Sequence, residues 1–137
     1  MNEKDIQKHL FATFILKGKG LNPHEVTDYL GINPSKSFKR GEWRNETERW
    51  NRNFWSLSSQ DEVQSDDLSI HIEWILNQFE PVKNQLINIL NRNGVDSEIS
   101  CFWIFPTDHE GLELSSKLIS RIAFLGVKLN FDIYCPD

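Results

Sequence analysis

Residues 11–32 read Phe11-Ala-Thr-Phe-Ile-Leu-Lys-Gly-Lys-Gly-Leu-Asn-Pro-His-Glu-Val-Thr-Asp-Tyr-Leu-Gly-Ile32, a stretch that holds a strand, a turn and a capped helix. Phe11 to Lys17 alternates loosely and is rich in β-formers, which predicts a strand ending at Gly18 and Gly20. Asn22-Pro23-His24-Glu25 then supplies an N-cap, a proline at the first helical position and a glutamate three residues after the cap. Together these satisfy the free N–H groups of a helix start. The helix runs to Leu30 and stops at Gly31, because glycine adopts the left-handed conformation that turns a chain back toward a sheet.

The same order returns near the other end of the sequence. Ser115 can cap a helix whose Leu118, Ile119, Ile122, Ala123 and Leu125 form one stripe, and Leu125-Gly126-Val127 echoes Leu30-Gly31-Ile32. Val127, Leu129, Phe131 and Ile133 then alternate with Lys128, Asn130, Asp132 and Tyr134, which predicts a strand with one buried and one wet face. The pattern resembles a duplicated strand–helix–strand unit.

Between the two units, Phe54 to Ser58 reads as a strand with Trp55 and Leu57 on the face opposite Phe54 and Ser56. Asp66 and Asp67 suit the start of the main helical segment, whose Leu68, Ile72, Ile75, Phe79, Val82, Leu86 and Leu90 recur every three or four residues. Pro81 removes an amide donor in its middle, so a kink or two helices meeting near Glu80 is expected, with Gly94 as the stop. Ile99 to Phe105 is apolar on both faces, as a central strand or one lining an interface would be. The expected fold is an α+β two-layer sandwich, ferredoxin-like, with a mainly antiparallel sheet and the helices on one face.

The 137 residues suffice for one domain over 1–137, with 1–9 as a loosely ordered lead-in. Five tryptophans, nine phenylalanines and a hydrophobic share of 39% supply a real core, which excludes disordered and fibrous classes. No apolar run approaches the ~20 residues of a membrane span, and the start is charged, so a cytoplasmic protein without membrane contact is expected. Cys101 and Cys135 lack Cys-x-x-Cys spacing and read as reduced strand cysteines. A net charge of −5 argues against a general nucleic-acid binder. Residues 36–55 nevertheless carry six Lys and Arg against three Glu, a local +3 that leaves −8 on the rest.

Catalytic and metal patterns are weak. His9, His24, His71 and His109 are scattered, and His71-Ile-Glu73 opens like a zinc deaminase signature without its Pro-Cys-x-x-Cys partner. Gly18-Lys19-Gly20 before a helix invites a phosphate-loop reading but has neither standard glycine spacing. Asp66-Asp67 and Asp108 with Glu110 are explained by capping and solvation. No cofactor is expected.

The strongest candidate is the segment Phe38 to Trp55, where arginines interleave with tryptophans. Planar charge beside rigid aromatic area is the composition that dominates protein interfaces, and Arg40, Trp43, Arg44, Trp50 and Arg52 are the expected binding residues. The alternative is that the aromatics cover the sheet and the arginines are merely solvated.

Phe14-Ile-Leu-Lys-Gly18, the Leu21-Asn-Pro-His-Glu-Val-Thr27 helix start, Leu30-Gly-Ile-Asn-Pro34, Gly41, Trp55-Ser-Leu57, the Leu-rich helix, Leu125-Gly126 and Asp132-Ile-Tyr134 occur in an order similar to that of the bacterial family known as domain of unknown function 4279. The resemblance spans roughly residues 11–134. It implies a small bacterial α+β domain and carries no catalytic residues. The functional expectation is a non-enzymatic protein-binding module, immunity- or antitoxin-like in its concrete form, its acidic surface steering it toward a basic target. A small-ligand or anion sensor using Gly18 to Asn22 or Arg40 and Arg44, and an enzyme assembled from distant residues, are the alternatives. Homodimerisation through Ile99–Phe105 is left open.

Overall fold

The computed structural model describes residues 9–104 and 111–134. The expectations placed on residues 1–8, Phe105, Asp108, His109, Glu110 and Cys135 lie outside the described residues. The elements are β1 (Leu10–Lys17), α1 (Pro23–Leu30), β2 (Lys36–Phe38), β3 (Phe54–Ser58), α2 (Leu68–Phe79), a 3₁₀ turn (Glu80–Val82), α3 (Lys83–Leu90), β4 (Asp96–Ile104), α4 (Ser116–Leu125) and β5 (Lys128–Tyr134).

Both capped units form as their local chemistry dictates. Asn22 accepts from the Glu25 amide at 3.4 Å, and Ser115 accepts from the Leu118 amide at 3.1 Å. Gly31 (φ 68°) and Gly126 (φ 73°) end their helices in the left-handed conformation. Pro81 falls in the 3₁₀ turn that separates α2 from α3, and Asp67 caps α2 by accepting from the Ser69 amide at 3.0 Å.

The five strands are ordered β2-β3-β1-β4-β5. The β2–β3, β3–β1 and β1–β4 pairings are antiparallel, whereas β5 runs parallel to β4, so the sheet is mixed. The physical reason is the connection: α4 carries the chain back along the sheet before β5 begins, and a strand entered through a helical crossover must run parallel to the one it left.

One face of the sheet meets the helices. Leu10, Ala12, Phe14 and Leu16 of β1, Trp55 and Leu57 of β3, and Ile99, Cys101 and Trp103 of β4 share a single core with residues from every helix. Phe14 lies 4.7 Å from Phe79 between ring centroids and meets Trp55 edge-on at 6.4 Å. β4 is therefore an interior strand with β1 and β5 on its two sides, so its Ile99–Ile104 stretch offers no free strand edge. Its Phe102 stacks instead on Phe11, centroids 5.0 Å apart, on the opposite face.

Three expectations need correction. The stretch from Asn33 to Asn53 mixes proline, glycine, charge and aromatics without a sustained period and reads as a long loop or an irregular hairpin, yet Lys36–Phe38 within it is a strand, held by its register with β3. In α4, only Leu118 and Ile122 are buried, while Ile119 is 50% exposed, because the helix covers the rim of the core rather than its centre. β5 does not have one buried face: only Leu129 is partly covered, and Phe131 and Ile133 are 42% and 51% exposed. The strand lies at the sheet edge, where the core reaches Val127, buried just before it, and Leu129 but not Phe131 or Ile133.

Candidate functional site

The glycines of the β1–α1 turn are explained by packing. A Cβ on Gly18 would stand 2.1 Å from the Gly94 carbonyl oxygen, and one on Gly20 would stand 2.0 Å from that of Asn93. The two turns touch backbone to backbone, with the Gly20 amide donating to the Gly94 carbonyl at 2.9 Å. These glycines therefore let two turns meet, a role that needs no phosphate ligand.

His71 is likewise committed to the interior. Its Nε2 faces the Ser65 carbonyl at 2.8 Å, and a carbonyl only accepts, so the proton sits on Nε2. Nδ1 then accepts from the Ser59 hydroxyl at 2.6 Å, while Ser59 Oγ accepts from the Ala12 amide at 3.0 Å. Both side chains are fully buried, so this Ser–His contact is a clamp between β1 and the start of α2. Burial holds the imidazole pKa below its ordinary value, against the opposing pull of the Ser65 carbonyl and Asp67. The Cys101 thiol is pushed up to about 12 by burial, which leaves it an inert core residue.

Residues 39–53 form an irregular hairpin with a bridge between Trp43 and Arg49. Asn45 shapes its tip by accepting from the amides of Thr47 (3.0 Å) and Glu48 (2.8 Å). Across it the Gly41 amide donates to the Trp50 carbonyl at 2.8 Å, and the Trp50 amide donates to the Glu42 carbonyl at 2.8 Å. Glu42 ties the hairpin to the body, accepting from the Lys39 amide and standing 3.3 Å from His24 of α1.

Above this frame the aromatics stack in a column. The rings of Phe38 and Phe54, brought opposite by the β2–β3 register, lie 5.0 Å apart and nearly parallel. Trp50 stacks on the other side of Phe38 at 3.6 Å and 7°. Lys36 lies over Trp50 at 5.4 Å, Arg44 over Trp50 at 4.9 Å, and Arg52 over Phe54 at 5.5 Å. Trp43, 61% exposed, carries Arg49 over its ring at 4.1 Å. Cations over aromatic faces are held by the ring quadrupole, which fixes their direction without neutralising them.

Of the five expected residues, Arg44, Trp50 and Arg52 thus share one column, and Trp43 stands beside it with Arg49. Arg40 belongs to a neighbouring cleft of about 340 Å³ lined by Gly18, Lys19, Arg40, Asn51, Arg52 and Asn53. Asn53 frames that cleft, accepting from the Arg40 amide at 2.8 Å and donating to the Gly18 carbonyl at 3.4 Å. The expectation that the aromatics cover the sheet holds for Phe38, which is 4% exposed, but not for Trp43. Phe38, Arg49, Asn53 and Phe54 lay in the candidate segment without being singled out, Lys19 lay in the Gly18–Asn22 turn of the anion-sensor alternative, and Lys36 was missed. Only the β2–β3 register brings Phe38 opposite Phe54, and nothing local could place Lys19 beside Arg40.

A second depression, between α2 and α4, has about 280 Å³ and is floored by Leu76 and Phe79. Two of its cations are already engaged: Arg121 donates to Asn77 at 3.0 Å and stands 3.7 Å from Glu80, and Lys83 lies 4.4 Å over Phe124. It is packing at a helix joint.

The site is thus a cationic and aromatic surface, and no group of three or more His, Cys, Asp or Glu side chains that could hold a metal ion occurs among the described residues. No curated protein and no solved structure matches the chain significantly. The model of one family, described as a domain of unknown function, matches residues 8–136, and the chain belongs to that family, DUF4279.

Proposed function

We propose that the protein is a binding module that engages an acidic protein partner through the 39–53 hairpin. The observation that carries this is the pairing of Trp43 and Arg49, a ring 61% exposed with a guanidinium 4.1 Å above it. Tryptophan and arginine are enriched among the few residues that dominate binding at protein interfaces, and here the two side chains already stack on one another in the free chain, an arrangement that lowers the entropic cost of binding. The cations of the column favour a partner of negative potential. An immunity-like role that covers a basic toxin would have to use the acidic remainder of the surface instead.

The test is capture from native lysate by the wild type against Trp43→Ala/Arg49→Ala. A partner retained at low salt, released at high salt and lost in the variant is expected. Identical capture by both proteins would overturn the proposal.

The cleft beside the hairpin favours a second reading, an anion site, because it gathers Lys19, Arg40 and Arg52 around the Gly18 turn. Thermal melts with inorganic phosphate and with nucleotides separate the two, since a ligand bound only by the native state raises the melting temperature. For the architecture, we read β1 to β4 as a ferredoxin-like core to which α4 and β5 add a flanking unit. The order β2-β3-β1-β4 with every neighbour antiparallel supports this.

A further inference from the structure

The edge strand β5 is where the molecule departs most from what its sequence pattern demands. Leu129, Phe131 and Ile133 pair with Ile99, Cys101 and Trp103, so they lie on the helix side of the sheet. The three β4 residues are buried, whereas Phe131 and Ile133 are about half exposed. On the helix-free face, Tyr134 is 52% exposed, its ring centroid 5.4 Å from that of Phe102. Among the described residues no strand pairs with the outer edge of β5. Soluble proteins usually blunt such an edge with short strands, charge or proline; β5 instead has seven residues and three exposed large hydrophobic side chains.

The helix layer above points the same way. Arg121 of α4 bonds to Asn77 of α2, so α2 lies on that flank of α4. With Leu118 and Ile122 facing the core, the 100° step per residue puts Ile119 on the opposite flank, toward the open edge. Ile119 is 50% exposed there.

We propose that β5 pairs antiparallel with β5 of a second copy of this chain, centred on Phe131, to form a symmetric dimer with a continuous sheet. The occupant follows from self-complementarity. Centred on Phe131, all seven residues of the strand find partners. On the helix side Leu129 meets Ile133 and Phe131 meets its own copy, so every pair is apolar. On the other face Lys128 meets Tyr134, a cation beside an aromatic ring, and Asn130 meets Asp132, an amide donor opposite a carboxylate. The Phe131 pair lies on the axis and every other pair occurs twice about it, as a two-fold interface requires. No like charges oppose one another, and the cross-strand pairs are of the kinds that stabilise sheets. A foreign strand would have to reproduce this order, which a second copy does by construction.

Sedimentation or light scattering of the full chain over micromolar to millimolar concentration tests it. The expected result is a concentration-dependent doubling of mass, with self-association weakened at least tenfold by Phe131→Asp. Ile133→Lys, at a half-exposed position that the fold tolerates, should do the same while circular dichroism stays unchanged. Trp43→Ala should dimerise like the wild type, which separates this inference from the hairpin proposal. A wild type that stays monomeric throughout, or a dimer indifferent to both β5 variants, would overturn it.

Discussion

The two strand–helix–strand units begin with the same local chemistry and end on opposite edges of one sheet. In the first, β1-α1-β2, the crossover skips one position, and β3 fills the gap between β1 and β2. In the second, β4-α4-β5, the crossover lands on the neighbouring position and β5 pairs directly with β4. The first unit closes with a three-residue edge strand, extended by a hairpin studded with cations. The second closes with a seven-residue edge strand that leaves Phe131, Ile133 and Tyr134 exposed. Caps and helix-terminating glycines therefore set how a unit starts and stops, while the position of its last strand sets what surface it offers.

The sharpest way to break the likeness is to give each unit an alanine in place of glycine. Gly20→Ala drives a methyl group into the Asn93 carbonyl, where only backbone can yield, and should cost about 3 kcal/mol or more in urea unfolding. Gly126→Ala meets nothing within 4 Å and suffers only the left-handed backbone, so about 1 kcal/mol is expected from the same measurement. Comparable losses at the two sites would show that the first turn tolerates separation from the second.

Between these two in size comes the Ser59–His71 clamp, which ties β1 of the first unit to the start of α2. Ser59→Ala strands the Ala12 amide and His71 Nδ1 without partners in the core, and about 2 kcal/mol of stability should be lost. The native imidazole holds its proton less tightly than the free value of 6.5. Below about pH 6.5 the unfolded chain therefore binds a proton that the native state does not, and stability should fall on acidification. His71→Asn should flatten that decline; an unchanged pH profile would mean that other groups dominate it.

The smallest effect is expected at the hairpin. Trp43→Ala should shift stability by no more than about 0.5 kcal/mol, because the ring is largely exposed and contacts Arg49 rather than the core. A larger loss would make the hairpin part of the scaffold and weaken its role as a binding surface.

Glu98 shows how far local pattern misleads at the seam of the two units. Burial raises its carboxyl pKa, but the Lys17 ion pair at 2.9 Å and the Asn130 amide outweigh that and leave it below the ordinary value. In the sequence these are three unrelated polar residues on three strands. The sheet makes them one contact, joining β1, β4 and β5 on the helix-free face.

What the sequence determined by itself is what depends on a few consecutive residues. The Asn22, Asp67 and Ser115 caps, the break at Pro81 and the left-handed Gly31 and Gly126 all follow from hydrogen bonds and dihedral angles within one turn. The Arg–Trp segment was legible too, since its composition is local. Tertiary structure alone decided the parallel placement of β5, the strand character of Lys36–Phe38 and the exposure of Phe131 and Ile133. It also decided the meeting of Lys19 with Arg40 and the close approach that requires Gly18 and Gly20. Each of these rests on contacts between residues far apart in the chain, and periodicity reports which face of an element is apolar but not what, if anything, is packed against it.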